Sequence, residues 1–260
     1  MVPELIEVEM YRRAAERACG RPIAGVIADD GWFLKGRTTA AALASELTGA
    51  VFTRVDRVGK LLIARTGSGT SLGFRFGMTG RLIVDGVAPI DQLLYSSDRD
   101  LSTWDRFQIR FVDGGTLVVR DPRRLGGVEL EPDASKLGVD ATRITVRHLE
   151  AALRSGASLK SVLLDQHKIA GIGNLLADEM LWQAGLRPQR SARSLSSGDV
   201  RSLHAGIGRT LRLLTRRGGS HTGDFMDHRR HGALCPRDGG PIRHESVAGR
   251  STWWCEHHQV

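Results

Sequence analysis

Residues 157–188 read ASLKSVLLDQHKIAGIGNLLADEMLWQAGLRP, and this stretch decides the fold. Leu163-Leu164-Asp165-Gln166 leads into Gly171-Ile172-Gly173-Asn174, which opens an apolar helical run through Leu175, Leu176, Met180 and Leu181. Two glycines at a helix start let backbone N–H groups come close to an anion, and the positive end of the helix lies behind them. Asn174 can add a side-chain hydrogen bond to the same phosphate. Taken alone, the glycines are better explained by an ordinary glycine-containing helical turn. The length and order of the whole stretch are far more specific than the glycines within it.

On either side of it the pattern changes twice. Residues 5 to 18 read as a helix, with Leu5, Val8, Tyr11 and Ala15 at helical spacing and Gly20-Arg21-Pro22 ending it. Leu61 to Ala64, then Phe74, Phe76 and Met78, then Phe107, Ile109 and Phe111 before Asp113-Gly114-Gly115, predict successive antiparallel strands. A sandwich or barrel is expected over residues 20 to 130. From Thr145 the spacing is helical again, most clearly in Val200, Leu203, Ile207, Leu211 and Leu214 after the cap candidate Ser197. Pro132 and the polar stretch to Arg147 read as a linker, and the last thirty residues, rich in Gly, Arg and His, as a small module.

The chain has 260 residues, 41% of them hydrophobic, and carries a formal net charge of +8. It has no apolar run near the length of a membrane span and no secretory pattern at its start, so a soluble cytoplasmic protein without a membrane partner is expected. The charge rests on 32 Arg against 5 Lys, which suits replacement of counterions along a phosphate backbone. Three cysteines give no disulfide framework. Cys19 reads as a structural thiol, and Cys235 and Cys255 as candidate metal ligands.

Several separated motifs occur in order. They are Pro3-Glu4, Gly59-Lys60-Leu61, Arg75-Phe76-Gly77-Met78-Thr79-Gly80, Asp121-Pro122-Arg123-Arg124-Leu125-Gly126, the 157–188 stretch, and Gly249-Arg250-Ser251-Thr252. Together they resemble the formamidopyrimidine-DNA glycosylase and endonuclease VIII family over nearly the whole chain. The resemblance implies an α+β fold: an N-terminal catalytic antiparallel β-sandwich with a leading helix (1–131), a helix-two-turn-helix DNA-binding domain (145–230) and a zinc-finger-like β-hairpin (231–260). It implies a monomeric bacterial, nucleoid-associated base-excision repair enzyme acting on damaged double-stranded DNA. In such enzymes a terminal proline amine attacks C1′ of the damaged nucleotide, and elimination at the 3′ and then the 5′ phosphate follows.

By that match Pro3, Glu4, Lys60 and Arg250 are the catalytic set. Glu4 handles protons, Lys60 orients a phosphate, and Arg250 grips the lesion phosphate and stabilises its departure. Met78 and Arg123 fill the void left by a flipped base. Asn174 contacts the backbone near the lesion, and Lys160 sits where the family has a lysine beside the damaged nucleotide. Each has a bland alternative, a core methionine for Met78 and a solvated helical lysine for Lys160. There are departures too. Leu125 replaces an aromatic wedge, Trp104 stands where one branch has a DNA-contacting histidine, Ile6 replaces a second proline, and the segment from His221 to His231 departs from both branches.

Val2 stands before Pro3, and a proline inside a chain has its nitrogen in an amide that cannot attack carbon. A free Val2 amine would lie about 3.8 Å away along the chain, where a misplacement of even 1 Å costs about a hundredfold in rate. Aminopeptidase trimming, or a GUG codon read as the true start, would expose the Pro3 amine. Without either, the chain reads as a catalytically silent lesion-binding or abasic-site-binding protein. A general nucleic-acid binding module explains the arginines but not Glu4, Lys60 and Arg123 together.

At the C-terminus, Cys235-Pro236-Arg237-Asp238, sixteen residues, and Cys255-Glu256-His257-His258 follow the family's four-cysteine zinc spacing, with Asp and His in place of two thiolates. Cys235, Asp238, Cys255 and His258 are a chemically allowed set for a structural zinc, with His231 and His257 in reserve. The alternative is a hairpin held by Trp253 and Trp254 without metal. No organic cofactor is expected.

Overall fold

The computed structural model describes residues 2–94, 99 and 101–260. Its contacts divide into two compact units, residues 1–134 and 135–260.

The first unit begins with α1 (Leu5–Ala15), whose N-cap is Glu4. The Glu4 backbone N–H donates to Glu7 Oε2 at 3.0 Å, satisfying a donor that a helix start otherwise leaves open. A 3₁₀ turn over 16–18 completes the predicted helix. The strands β1 (Ile23–Ile27), β2 (Phe52–Val58), β3 (Leu61–Thr66), β4 (Ser71–Arg75), β5 (Arg81–Val84), β6 (Asp105–Phe111), β7 (Thr116–Arg120) and β8 (Gly127–Leu130) follow, with α2 (Ala40–Leu47) between β1 and β2. They form two four-stranded antiparallel sheets, ordered β1-β6-β7-β5 and β2-β3-β4-β8. Both inner faces feed one core. Ile23, Phe107, Ile109, Leu117, Val119 and Leu82 come from one sheet, and Phe52, Leu62, Leu72, Phe74 and Val128 from the other. Val8, Tyr11 and Ala15 seat α1 in the same core, against β2 and β3 of one sheet and β5 of the other.

β4 stops at Arg75, so Phe76 and Met78, read from sequence as a strand continuation, lie in a turn closed by Gly80 N–H to the Phe76 carbonyl at 2.8 Å. The turn is forced at Gly77, which has φ +56° and no room for a Cβ.

In the second unit the expected linker contributes structure. β9 (Val139–Asp140) pairs in parallel with β10 (Ile169–Ala170), and Gly138 N–H donates to the Gln166 carbonyl at 2.9 Å. Helices α3 (Val146–Leu153), α4 (Leu159–Leu164), α5 (Asn174–Ala184) and α6 (Ser197–Arg217) follow. Ser196, one residue before the expected cap, caps α6 through Asp199 N–H. The hairpin β11 (Ile242–Val247) and β12 (Arg250–Cys255) closes the chain. It does not build a core of its own: Cys235, Ile242 and Cys255 share one with Trp182 of α5 and with Phe225. Among the described residues no helix is long and apolar enough to cross a membrane.

Candidate catalytic and nucleic-acid interface

In the first unit Pro3 and Glu4 are buried at the foot of α1, Val2 is half-buried, and Glu4 is 2% exposed. Lys60 occupies the two-residue turn between β2 and β3, which Gly59 makes possible with φ +58°. A residue invisible to motif reading, Glu9, ties this turn to α1. Arg57 donates Nε to Glu9 Oε2 at 3.1 Å and a terminal nitrogen to the Gly59 carbonyl at 3.0 Å. Burial raises the Glu9 pKa, but hydrogen bonds from Arg57 and Arg12 outweigh it and hold the carboxyl below its ordinary value. The helix carrying Glu4 and the turn carrying Lys60 are thus joined by a charge-assisted link.

Met78 is half-buried, whereas Arg123 and Leu125 are exposed at the tip of the loop between β7 and β8. Arg124 beside them has φ +55°, a conformation unfavourable for a residue with a side chain. Its guanidinium reaches Asp30 Oδ1 at 2.5 Å. That bond is the main reason the Asp30 carboxyl titrates below its ordinary value. Trp104 is half-buried at the end of a 3₁₀ turn, and its carbonyl accepts the Asp121 N–H at 2.9 Å.

In the second unit Gly173 is the N-cap of α5 and Asn174 its first residue. The glycine turn is clamped by Gln166, which accepts from Gly171 N–H at 2.9 Å and donates to the Ile172 carbonyl at 2.9 Å. Asn174 Nδ2 donates to the Ser251 carbonyl at 2.9 Å, and its Oδ1 is buried without a partner. Arg250, exposed, opens β12 after a turn in which Ala248 and Gly249 both have positive φ. The expected phosphate-gripping arginine and the helix-start asparagine are therefore linked through Ser251.

Lys160, expected at the DNA, is placed differently. Its side chain is 0% exposed and its ammonium donates to Asp178 Oδ1 at 2.6 Å, Thr252 Oγ1 at 2.8 Å and the Ser251 carbonyl at 3.2 Å. A buried ammonium is tolerated because Asp178, itself 0% exposed, supplies the countercharge. Arg229 pairs with the other Asp178 oxygen at 2.9 Å. Lys160 thus fixes the base of the Arg250 strand. Asp178 and Glu179 also anchor the 221–231 segment, the latter accepting Phe225 N–H at 3.0 Å.

Cys235, Asp238, Cys255 and His258 converge, with one donor atom from each and all four within 4.8 Å of one another. A tetrahedral zinc with Zn–S near 2.3 Å and Zn–N or Zn–O near 2.1 Å sets S–N and S–O edges of about 3.6 Å and an N–O edge of about 3.4 Å. Cys235 Sγ to His258 Nδ1 is 3.5 Å, Cys255 Sγ to Asp238 Oδ2 is 3.7 Å, and His258 Nδ1 to Asp238 Oδ2 is 3.3 Å. The residues fit a zinc ion.

Their supports fit as well. His258 Nε2 lies 3.1 Å from the Trp182 carbonyl, which assigns its proton there and leaves Nδ1 as the ligand. Trp182 Nε1 donates to Cys235 Sγ at 3.3 Å. The Gly240 N–H holds the outer oxygen of Asp238 at 2.9 Å and is the main cause of that carboxyl's low pKa of about 2. Burial, in contrast, pushes the Cys255 thiol up to about 11. His231 is not in the cluster, since it packs edge-on to Trp253 at 5.0 Å, and His257 is exposed beside it.

The formamidopyrimidine-DNA glycosylase N-terminal domain model matches residues 2–128, and that family's H2TH domain model matches residues 131–225. The chain is 33% identical over 238 residues to the formamidopyrimidine-DNA glycosylase of Syntrophomonas wolfei, covering 81% of this chain and 83% of that one. It is 30% identical over 277 residues to the Solibacter usitatus enzyme of the same name, covering 99% of each. A crystal structure of the Lactococcus lactis protein in complex with DNA containing an abasic site superposes with a TM-score of 0.84 at 27% identity, covering 99% of both chains. The same Lactococcus lactis protein bound to DNA containing an oxidised pyrimidine gives 0.83 at 28% identity, again covering 99% of both. Sandwich, glycine-opened helix, arginine hairpin and these matches agree: the chain belongs to the formamidopyrimidine-DNA glycosylase family.

Proposed function

We propose that this protein is a bifunctional DNA glycosylase and abasic-site lyase that removes oxidised bases from duplex DNA, acting as a cytoplasmic monomer. The observation that carries the reading is the Pro3-Glu4 pair, buried at the start of a helix that packs on both sheets. Family membership adds the DNA substrate class.

With Pro3 as first residue, its secondary amine bonds to C1′ as the glycosidic bond breaks and the base leaves with the bonding pair. Glu4 takes the proton shed by the amine and delivers it to the sugar ring oxygen, the ring opens, and an iminium joins Pro3 to C1′. Loss of a C2′ proton then expels the 3′ phosphate, a second elimination expels the 5′ phosphate, and water releases the sugar remnant. Lys60 and Arg250 hold the two phosphates, and Asn174 holds the backbone beside the lesion. Met78, Arg123 and Leu125 fill the space left by the extruded nucleotide, with Trp104 as a further DNA contact. Lys160 acts from beneath, through Ser251. Cys235, Asp238, Cys255 and His258 would hold a structural zinc ion, which would tie the Arg250 hairpin together.

Val2 favours a second reading. While it precedes Pro3, the nitrogen is an amide and the protein is a silent binder of damaged or abasic DNA. The test of the first reading is excision by protein beginning at Pro3, on duplexes carrying an oxidised purine or pyrimidine. A one-nucleotide gap with phosphate on both ends is expected, slowed about 10²–10⁴-fold by Glu4→Gln. Intact duplex after incubation, or an unimpaired Glu4→Gln, overturns it.

A further inference from the structure

The loop after β7 turns on Asp121, which is 0% exposed. Its Oδ1 accepts from Thr79 Oγ1 at 2.5 Å and from the Arg123 N–H at 3.2 Å, and its Oδ2 accepts from the Gly126 N–H at 2.8 Å. Its own N–H donates to the Trp104 carbonyl at 2.9 Å, and its carbonyl accepts from Arg106 Nε at 2.9 Å and the Arg124 N–H at 3.3 Å. One residue thus joins the Met78 turn through Thr79, the Arg123–Leu125 tip through two backbone bonds, and Trp104 through its carbonyl. The two loops also touch, because a Cβ on Gly77 would lie 2.6 Å from the Leu125 backbone carbon. At the far side of the Met78 turn, Tyr11 of α1 donates its hydroxyl to the Gly80 carbonyl at 3.1 Å and packs on Phe76 at 4.5 Å.

Opening a base pair requires Met78 and Arg123 to enter one vacated space together, and two independently moving loops would each lose conformational freedom at that moment. A shared buried anchor removes that cost before DNA arrives. Aspartate is suited to it, since both oxygens only accept and three donors face them. Asparagine loses one acceptor. Gly126 fits the same arrangement, since a Cβ there would lie 2.4 Å from the Arg75 carbonyl oxygen and 3.2 Å from Asp121 Oδ2.

Resting on the DNA-binding reading above, we propose that Asp121 is a positioning residue that presets Met78, Arg123 and Leu125 as a single wedge, so that it governs lesion extrusion from duplex and not the chemistry at C1′. The experiment compares wild type, Asp121→Asn and Thr79→Val, all beginning at Pro3. Two signals are read: borohydride trapping on a single-stranded abasic oligonucleotide, which needs no wedge, and excision from a lesion duplex. A third is the fluorescence of 2-aminopurine placed opposite the lesion, which reports insertion and needs binding only.

Both variants should trap the single strand within about twofold of wild type. On duplex, excision and the fluorescence rise should fall more than tenfold, toward the hundredfold that a 1 Å misplacement costs. Equal losses on single strand and duplex would mean general damage to the fold and overturn the proposal, as would an unimpaired fluorescence rise in both variants. Should wild type fail to trap at all, the enzyme reading fails, while the fluorescence comparison still decides the role of Asp121. Thr79→Val keeps the carboxylate and removes a single bond to it, which guards against misfolding of Asp121→Asn.

Discussion

Single side chains here carry charge in places where water cannot help. Lys160 was legible in the sequence as a lysine on a helix near a glycine turn, but not as an internal cation, because its countercharge lies 18 residues away and its other partners more than 90. Removing one partner of a buried pair strands the other, so Lys160→Met is expected to lower stability by roughly 3 kcal/mol, the low end of such losses because Arg229 still faces Asp178. Urea unfolding measures it, and a loss below about 1 kcal/mol would show the pair to be solvated. The candidate metal ligands follow from spacing matched to the family's zinc hairpin, whereas the indole N–H on Cys235 does not, Trp182 being 53 residues earlier. Trp182→Phe should weaken zinc about 10–100-fold in a chelator competition, as loss of a supporting hydrogen bond does elsewhere. Unchanged affinity would mean that this N–H does not tune the thiolate.

Elements with a strong local signal are legible in the residues themselves: α1, the β6–β7 hairpin, the glycine-opened α5 and the Ser-capped α6. Those that are not legible are set by distant partners. β9 forms only because β10 lies beside it, so residues 139–140 read as linker, and Phe76 and Met78 alternate like a strand although Gly77 turns the chain there. Likewise α5 reads as an apolar helix, yet it buries Glu179. Burial raises that carboxyl above its ordinary pKa despite bonds from Gln183 and Phe225. Below the ordinary value of 4.5 the group is protonated in both states and costs nothing. As pH rises from there through the raised folded value, the unfolded chain releases its proton first and stability falls. Glu179→Gln keeps an acceptor for Phe225 and should flatten that fall. A wild-type curve that rises across the same window, or a variant curve as steep as wild type, would contradict the assignment.

At the scale of the molecule the chain carries two sets of candidate contacts, Pro3, Glu4, Lys60, Met78, Trp104, Arg123 and Leu125 in one unit and Asn174 and Arg250 in the other. The positive excess is carried almost wholly by arginine, the side chain whose fixed fork matches phosphate. The family and both sheets were legible from motif order, whereas the links that hold the motifs in place, through Glu9, Asp121 and Asp178, were not, since an acidic residue bonded across the fold leaves no local pattern. Pro3 is proposed to become a nucleophile once its nitrogen is an amine. That is tested most directly by borohydride trapping on an abasic-site duplex, comparing protein whose first residue, confirmed by intact mass, is Pro3 with protein that retains Val2. A covalent complex is expected with the Pro3 form and little or none with the Val2 form. Tight binding by both forms with trapping by neither would contradict it and leave a protein that holds damaged DNA without cutting it.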